Sequence, residues 1–421
     1  MFDKVIPRSE FTKNVLTALT GTALAQAIPI LISPFLTRYF TEADFGLFFL
    51  FTSIMAMLSV FSTAKYELAI ILPEKDEDAI NIVVLVCLIA FGVSLTILGI
   101  IMFFREEIQE ALDDHSSGYW LYLVPLSLLL SGVYQAFNYW SNRKKRFREL
   151  SIGKIGQSSV TGGSNLSIGN LAPSGIGLIW STIAGQFTNI VVLLRRFLKT
   201  DREMISYVNA DNMGQQAKRY GAFPKQMVLA NIFNISAMQI PNIVLASMFG
   251  SAFLGVFALS QRVVKLPIVV ISSAYGEVLK QEASEKLARG GDIKQLFWKS
   301  LLSLSLVSLP PFVILYLFAP EIFSFVFGEK WLSAGEYAKI LTPYFYLAFI
   351  TVPLTHLFYI LERTRIYLVI QAFLLLCVLG GLYVGQQWES PTTTLVYVLS
   401  ASYSSVYLIM LASLAVIIGK K

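Results

Sequence analysis

Residues Ile80 to Phe104 read INIVVLVCLIAFGVSLTILGIIMFF, with no charged side chain between Asp76-Glu77-Asp78 on one flank and Arg105 on the other. Crossing a hydrocarbon core of roughly 30 Å takes about 20 apolar residues in an α-helix, which satisfies its own backbone N–H and C=O groups where water cannot. The stretch predicts a transmembrane helix.

Stretches of the same kind recur from Asn14 to Gly419 with only short breaks, and no soluble domain of ordinary size fits between them. Their lengths predict an all-α, polytopic membrane protein with helices at about 14–36, 46–71, 80–104, 119–141, 151–170, 175–194, 225–248, 254–277, 297–318, 337–360, 366–385 and 392–417. Of the 421 residues 55% are hydrophobic and 14% charged, where soluble domains carry about 25% charge. The first stretch, Asn14 to Ser33, is too long for the apolar region of a signal peptide and has no A-x-A cleavage pattern nearby, so it reads as a helix of the mature chain. Cys87 and Cys377 both fall inside apolar spans and read as packing residues.

The loops sort by charge. Lys4, Arg8, Lys75, the cluster Arg143, Lys144, Lys145, Arg146 and Arg148, then Arg195, Arg196, Lys218, Arg219, Lys286, Arg363, Arg365 and Lys421 fall on one side. Arg38, Arg105 and Lys330 fall on the other. By the positive-inside rule the rich side is cytoplasmic and holds both termini, so the helix count is even. The net charge of +6 is then topological, and nucleic acid is not an expected partner.

The two halves resemble one another weakly. A shift of 209 residues lays Phe40, Ala43, Gly46, Phe48 and Leu50 over Phe249, Ala252, Gly255, Phe257 and Leu259, and a shift of 218 to 220 lays Pro125 over Pro343, Tyr139 over Tyr359 and Arg143 over Arg363. This predicts an N-terminal six-helix lobe over residues 1–200, a cytoplasmic connection over 201–224 and a C-terminal six-helix lobe over 225–421. Such pseudo-symmetric repeats form central substrate sites in transporters.

Enzyme signatures are few. No G-x-x-x-x-G-K-[ST] phosphate loop is present, so ATP is not the direct energy source, and neither a catalytic residue, a metal site nor a cofactor is expected. Asp76-Glu77-Asp78, and Asp113-Asp114-His115, read as solvated loops rather than the metal or catalytic groups of a glycosyltransferase or polymerase. Ionisable groups deep in a span are functional candidates when they cannot snorkel to an interface. Arg262 and Lys265 lie three apart on one face of the eighth helix and suit a polar cavity, with structural pairing as the alternative. Lys65, about 9 Å inside the predicted second helix, can snorkel as readily as bind. Glu67, expected on a different face, suits a proton or cation, or an interfacial ion pair. His356, the one histidine within a span, suits proton coupling or hydrogen-bonded packing. Polar stripes include Gln135, Asn138 and Asn142 in the fourth helix and Asn231, Asn234 and Asn242 in the seventh, fit for a sugar path or for interhelical hydrogen bonds. Gly153, Gly156, Ser159, Gly163 and Ser167 read as a close-packing face.

Several segments carry a family resemblance: TRYFTEADFGLF from Thr37, YELAIILP from Tyr66, NRKKRFREL from Asn142, AKRYGAFPK from Ala217, GVFALSQRVVKLP from Gly255, GEVLKQEA from Gly276 and FVFGEKWLSAGEYAKILTP from Phe325. In this order, over nearly the whole chain, they resemble the O-antigen and capsule repeat-unit flippases of the multidrug/oligosaccharidyl-lipid/polysaccharide exporter superfamily. The resemblance implies alternating access in the bacterial inner membrane, an undecaprenyl-pyrophosphate-linked oligosaccharide as substrate, and a polysaccharide polymerase and chain-length regulator as partners. It carries over Arg262 and, within matching segments, Lys65 and Glu67. A multidrug or small-solute antiporter of the same superfamily is the alternative, although it favours carboxylates over bases.

Overall fold

The computed structural model describes residues 10–112, 118–221, 223–224, 228–288, 291–361, 363–387 and 392–419. Asp113, Asp114 and His115 lie outside the described residues. The rest is helix and turn, with no strand among the described residues. The helices are α1 (Glu10–Tyr39), α2 (Glu42–Ser62), α3 (Asp76–Ala111), α4 (Leu123–Arg143), α5 (Phe147–Leu171), α6 (Gly175–Thr200), α7 (Ala210–Arg219), α8 (Val228–Ala288), α9 (Lys294–Phe327), α10 (Leu332–Leu354), α11 (His356–Ile360), α12 (Thr364–Gln387) and α13 (Thr392–Gly419).

Ten segments among the described residues are long and apolar enough to cross a membrane. Two more complete the expected twelve. One is α5, whose 25 residues are too rich in glycine, serine, threonine and asparagine to register as apolar. The other is the second half of α8, which breaks at Gly250, where φ is 79° and ψ 170°. That conformation is open to glycine and strained for side-chain-bearing residues. At the offset of 209 residues Gly250 corresponds to Thr41, the residue that caps α2. Each half therefore breaks its first helical stretch at the equivalent residue. At Thr41 the break is a capping box, with Asp44 N donating to Thr41 Oγ1 at 3.2 Å and Thr41 N to Asp44 Oδ2 at 2.9 Å. Asp44 Oδ1 also accepts from Gly175 N at 2.6 Å, joining the starts of α2 and α6.

The chain divides into two compact units, Met1–Ile235 and Ser236–Lys421. In the first, α1, α5 and α6 approach closely. A Cβ on Gly153 would lie 2.2 Å from Asn189 Oδ1, and one on Gly162 2.4 Å from Ile32 Cδ1. The expected glycine-serine face is half right: Gly163 has no neighbour within 4 Å, and Ser167 donates to its own helix at Gly163 O, so those two point away. Gly162, one residue before Gly163, makes the contact instead.

The basic run after α4 is more than a topological signal. Arg143 Nε donates to Asp76 Oδ1 at 2.8 Å and its Nη1 to the Pro73 carbonyl at 2.6 Å, while Lys144 also pairs with Asp76. Arg146 grips Asp201 with two bonds of 2.6 and 2.9 Å, and Trp140 Nε1 donates to the same carboxylate at 2.8 Å. Asp76 thus sits in the first turn of α3 as an ion-pair partner, not in a solvated loop. The polar stretch after α6 is not featureless either. Asn81 on α3 donates to Tyr207 O at 3.0 Å and accepts from Asn209 N at 2.9 Å, Asn212 donates to Asp78 Oδ1 at 3.0 Å, and Tyr66 OH donates to Ala217 O at 3.0 Å. These bonds dock α7 on the first unit. Beneath them Ile70, Ile80, Val83, Val86, Ala136, Trp140 and Phe197 form a buried cluster, with Cys87 packed at its edge.

Candidate functional site

Lys65 and Glu67 were expected in the second helix, on different faces. The structure corrects both points. Helix α2 ends at Ser62, because Ala64 (φ 47°) and Lys65 (φ 62°) turn left-handed, and Glu67 lies on a short 3-10 turn, Tyr66–Ile71. Two consecutive left-handed residues with side chains cost on the order of 1–3 kcal/mol each and persist only where surroundings hold them. The reversal folds Lys65 back, so that its Nζ lies 3.6 Å from Glu67 Oε1. Glu67 is buried, 3% exposed, and its Oε2 accepts no hydrogen bond among the described residues. Tyr139 on α4 lies within electrostatic reach of the carboxylate. Asn138, next along α4, is half-buried and lies at 3.5 Å from Tyr134 OH, the limit of a hydrogen bond. The Asn234 side chain falls outside the described part of the structure.

Arg262 and Lys265 stand together on one turn of the second half of α8, both half-buried. Lys265 donates to Gln261 Oε1, one turn back. A neutral amide oxygen does not cancel the ammonium charge of Lys265, which sits with the guanidinium of Arg262 on one turn of an apolar helix. His356 is not part of it. Helix α10 ends at Leu354, just after Pro353, and His356 opens α11 with its ring against α8 at Gly276, where a Cβ would lie 2.8 Å from the imidazole. At 1.5 Å per residue, Gly276 is about 16 Å along α8 from Lys265. The sequence candidates therefore separate into Lys65, Glu67 and Asn138 in the first unit and Arg262, Lys265 and His356 in the second.

Two features of the second unit were not foreseen. One is a tyrosine cluster, in which the buried Tyr344 ring of α10 stacks on Tyr403 of α13 at 4.7 Å and lies 5.8 Å from Tyr407. The four-residue spacing of Tyr403 and Tyr407 was the available signal. The other is an apolar cavity of about 340 Å³ between α8 (Val263, Val264, Ile268, Ile271), α9 (Val307, Ser308, Pro311, Phe312, Leu315) and α10 (Phe349). No periodicity marks it, because any membrane helix offers such residues.

The helices define the class: a polytopic α-helical membrane protein. A family model described as polysaccharide biosynthesis protein matches residues 35–336, and the chain belongs to that family. No curated protein matches it. Among solved structures, an inward-facing multidrug resistance MATE family transporter of the MOP superfamily is 13% identical with a TM-score of 0.72, over 96% of this chain and 95% of that one. The lipid II flippase MurJ in its inward closed conformation is 11% identical with a TM-score of 0.74, over 95% and 87%. An outward-facing MATE transporter gives 13% and 0.62, over 97% and 96%. At these identities the fold is what is shared.

Proposed function

We propose that the chain is a flippase that carries an undecaprenyl-pyrophosphate-linked oligosaccharide repeat unit from the cytoplasmic to the periplasmic face of the bacterial inner membrane by alternating access. The observation that carries this reading is the pair Arg262 and Lys265, held on one turn of an apolar helix in a chain of a polysaccharide biosynthesis family. A pyrophosphate is at least doubly anionic. Two unit charges 4 Å apart interact by ~1 kcal/mol in water but ~4 kcal/mol at an effective dielectric constant near 20, so fixed bases away from water are worth far more than surface ones. A lipid flippase among the structures of like fold supports the same reading. A multidrug antiporter has the same fold but calls for unpaired carboxylates, and the buried Glu67 faces Lys65.

In this reading residues 1–200 and 225–421 are the two six-helix halves and 201–224 is their cytoplasmic connection. Both termini are cytoplasmic, as the charge asymmetry of the loops requires. Asn138 and Asn234 contribute to the sugar path, and Glu67 and His356 are the groups that exchange a coupling ion. The test is deletion followed by lipid analysis: linked repeat units should accumulate on the cytoplasmic membrane face, and accumulation on the periplasmic face would sink the proposal.

A further inference from the structure

The cavity between α8, α9 and α10 has a wall made for hydrocarbon. Its one polar side chain among the described residues, Ser308, spends its hydroxyl on the Leu304 carbonyl at 2.7 Å. A water there would lack the two to four polar partners that retain it. Apolar cavities of roughly 150 Å³ already bind benzene, and this one is more than twice that size at about 340 Å³. Pro311 stands at the wall next to Pro310 in the chain, and neither can donate the helical hydrogen bond of an ordinary residue. The cavity is open at the protein surface, since Val307 is 68% and Ile271 46% exposed.

Depth narrows the occupant. Pro310 and Pro311 each lie sixteen residues from the nearer end of α9, which runs from Lys294 to Phe327. That is about 24 Å at 1.5 Å per residue, placing the cavity near mid-membrane. Arg262 and Lys265 belong to the same turn of α8 as the wall residues Val263 and Val264, with Lys265 about 100° round the helix from Val264. Resident phospholipids keep their phosphates at the interface, some 15 Å from that level in a core of about 30 Å. Only a lipid in transit brings an anion and a chain to mid-depth together.

We propose that this groove seats the isoprenoid chain next to the pyrophosphate of the translocated lipid, while the long side chains of Arg262 and Lys265, on the flanks of the same helical turn, meet the pyrophosphate at the groove's edge. The proposal rests on the flippase reading above. One turn of α8 then recognises both halves of an amphiphile, and diphosphates that carry a prenyl chain are bound over diphosphates that carry none.

The test uses the full-length protein in nanodiscs with two photoreactive probes: a polyprenyl diphosphate carrying a diazirine in its first isoprene units, and a diazirine phosphatidylglycerol. The polyprenyl probe should label the peptides that hold Val307, Pro311 and Ile271, and unlabelled undecaprenyl diphosphate should suppress that labelling. Equal labelling by phosphatidylglycerol, unaffected by the competitor, means bulk lipid only and overturns the proposal. Competed polyprenyl labelling elsewhere overturns the groove while sparing the flippase reading, and no competed labelling anywhere overturns both. A variant, Val307→Trp, fills the rim at an exposed position. It should weaken undecaprenyl diphosphate binding about tenfold, the loss of roughly two buried methylene contacts, and leave inorganic pyrophosphate, which has no chain, unaffected. Equal weakening of both ligands, or of neither, counts against the groove.

Discussion

The Asp201 clamp gives the most quantitative prediction. Asp201→Asn keeps the shape of the side chain but removes the charge that Arg146 grips with two bonds and Trp140 with a third. Breaking one partner of a buried ion pair costs roughly 3–5 kcal/mol. The Asp201 and Arg146 side chains keep 9% and 15% exposure, so we take the lower figure, ~3 kcal/mol, close to the ~1.5–3 kcal/mol of a single charged hydrogen bond. Cys87 packs at the edge of the cluster that contains Trp140, so its thiol reports on opening of that core. In a Cys377→Ser background, labelling of Cys87 in mild denaturant should rise about a hundredfold in Asp201→Asn, at about 1.4 kcal/mol per tenfold. Adding Arg146→Gln removes the stranded guanidinium and should recover part of the loss. Labelling unchanged within twofold, or a double variant worse than the sum of the two single ones, would refute the clamp.

Further expectations follow from the same geometry. Burial by itself lifts the Asp201 carboxyl, but the bonds from Arg146 and Trp140 outweigh it and hold the group below the ordinary carboxylate range. The clamp's stability is therefore present above the unfolded value near ~4 and is lost as pH falls through the lower folded value, so the melting gap between wild type and Asp201→Asn should hold from pH 7 to about 5 and close only in stronger acid. Gly335→Ala places a Cβ 2.5 Å from Pro320 Cα and 2.6 Å from Ala319 O, backbone atoms that cannot turn aside; it should cost ~1–3 kcal/mol in thermal melts, and an unchanged melt would deny the close contact of α9 and α10. Arg262→Ala should abolish surface polysaccharide at normal membrane abundance and Arg262→Lys restore part of it, because charge remains while the bidentate fork is lost; loss of abundance instead would mark Arg262 as structural.

The helical architecture was legible because crossing a bilayer imposes length and apolarity on every span, as Ile80 to Phe104 shows. The break at Gly250 was legible through its offset partner Thr41. The turn at Lys65 was not: Ala64 and Lys65 are ordinary helix formers, and their left-handed backbone is imposed by packing, so the apolar run through Ile71 read as continuous helix. The α7 dock was hidden for a related reason. Its partners Asn81, Asp78 and Tyr66 lie more than a hundred residues away, and a polar stretch carries no sign of what it will bond. Of the candidate site, Arg262 and Lys265 stood out because charge is costly inside an apolar helix. The groove beside them did not, since Val263, Val264 and Ile268 look like any lipid-facing residues.

Translocation itself is the most direct measurement. Purified protein in sealed proteoliposomes should expose a fluorescent undecaprenyl-pyrophosphate oligosaccharide to a membrane-impermeant quencher at a rate that depends on protein and falls in Arg262→Ala. Quenching no faster than in protein-free vesicles, or equally fast in Arg262→Ala, would contradict a flippase built around the basic turn of α8.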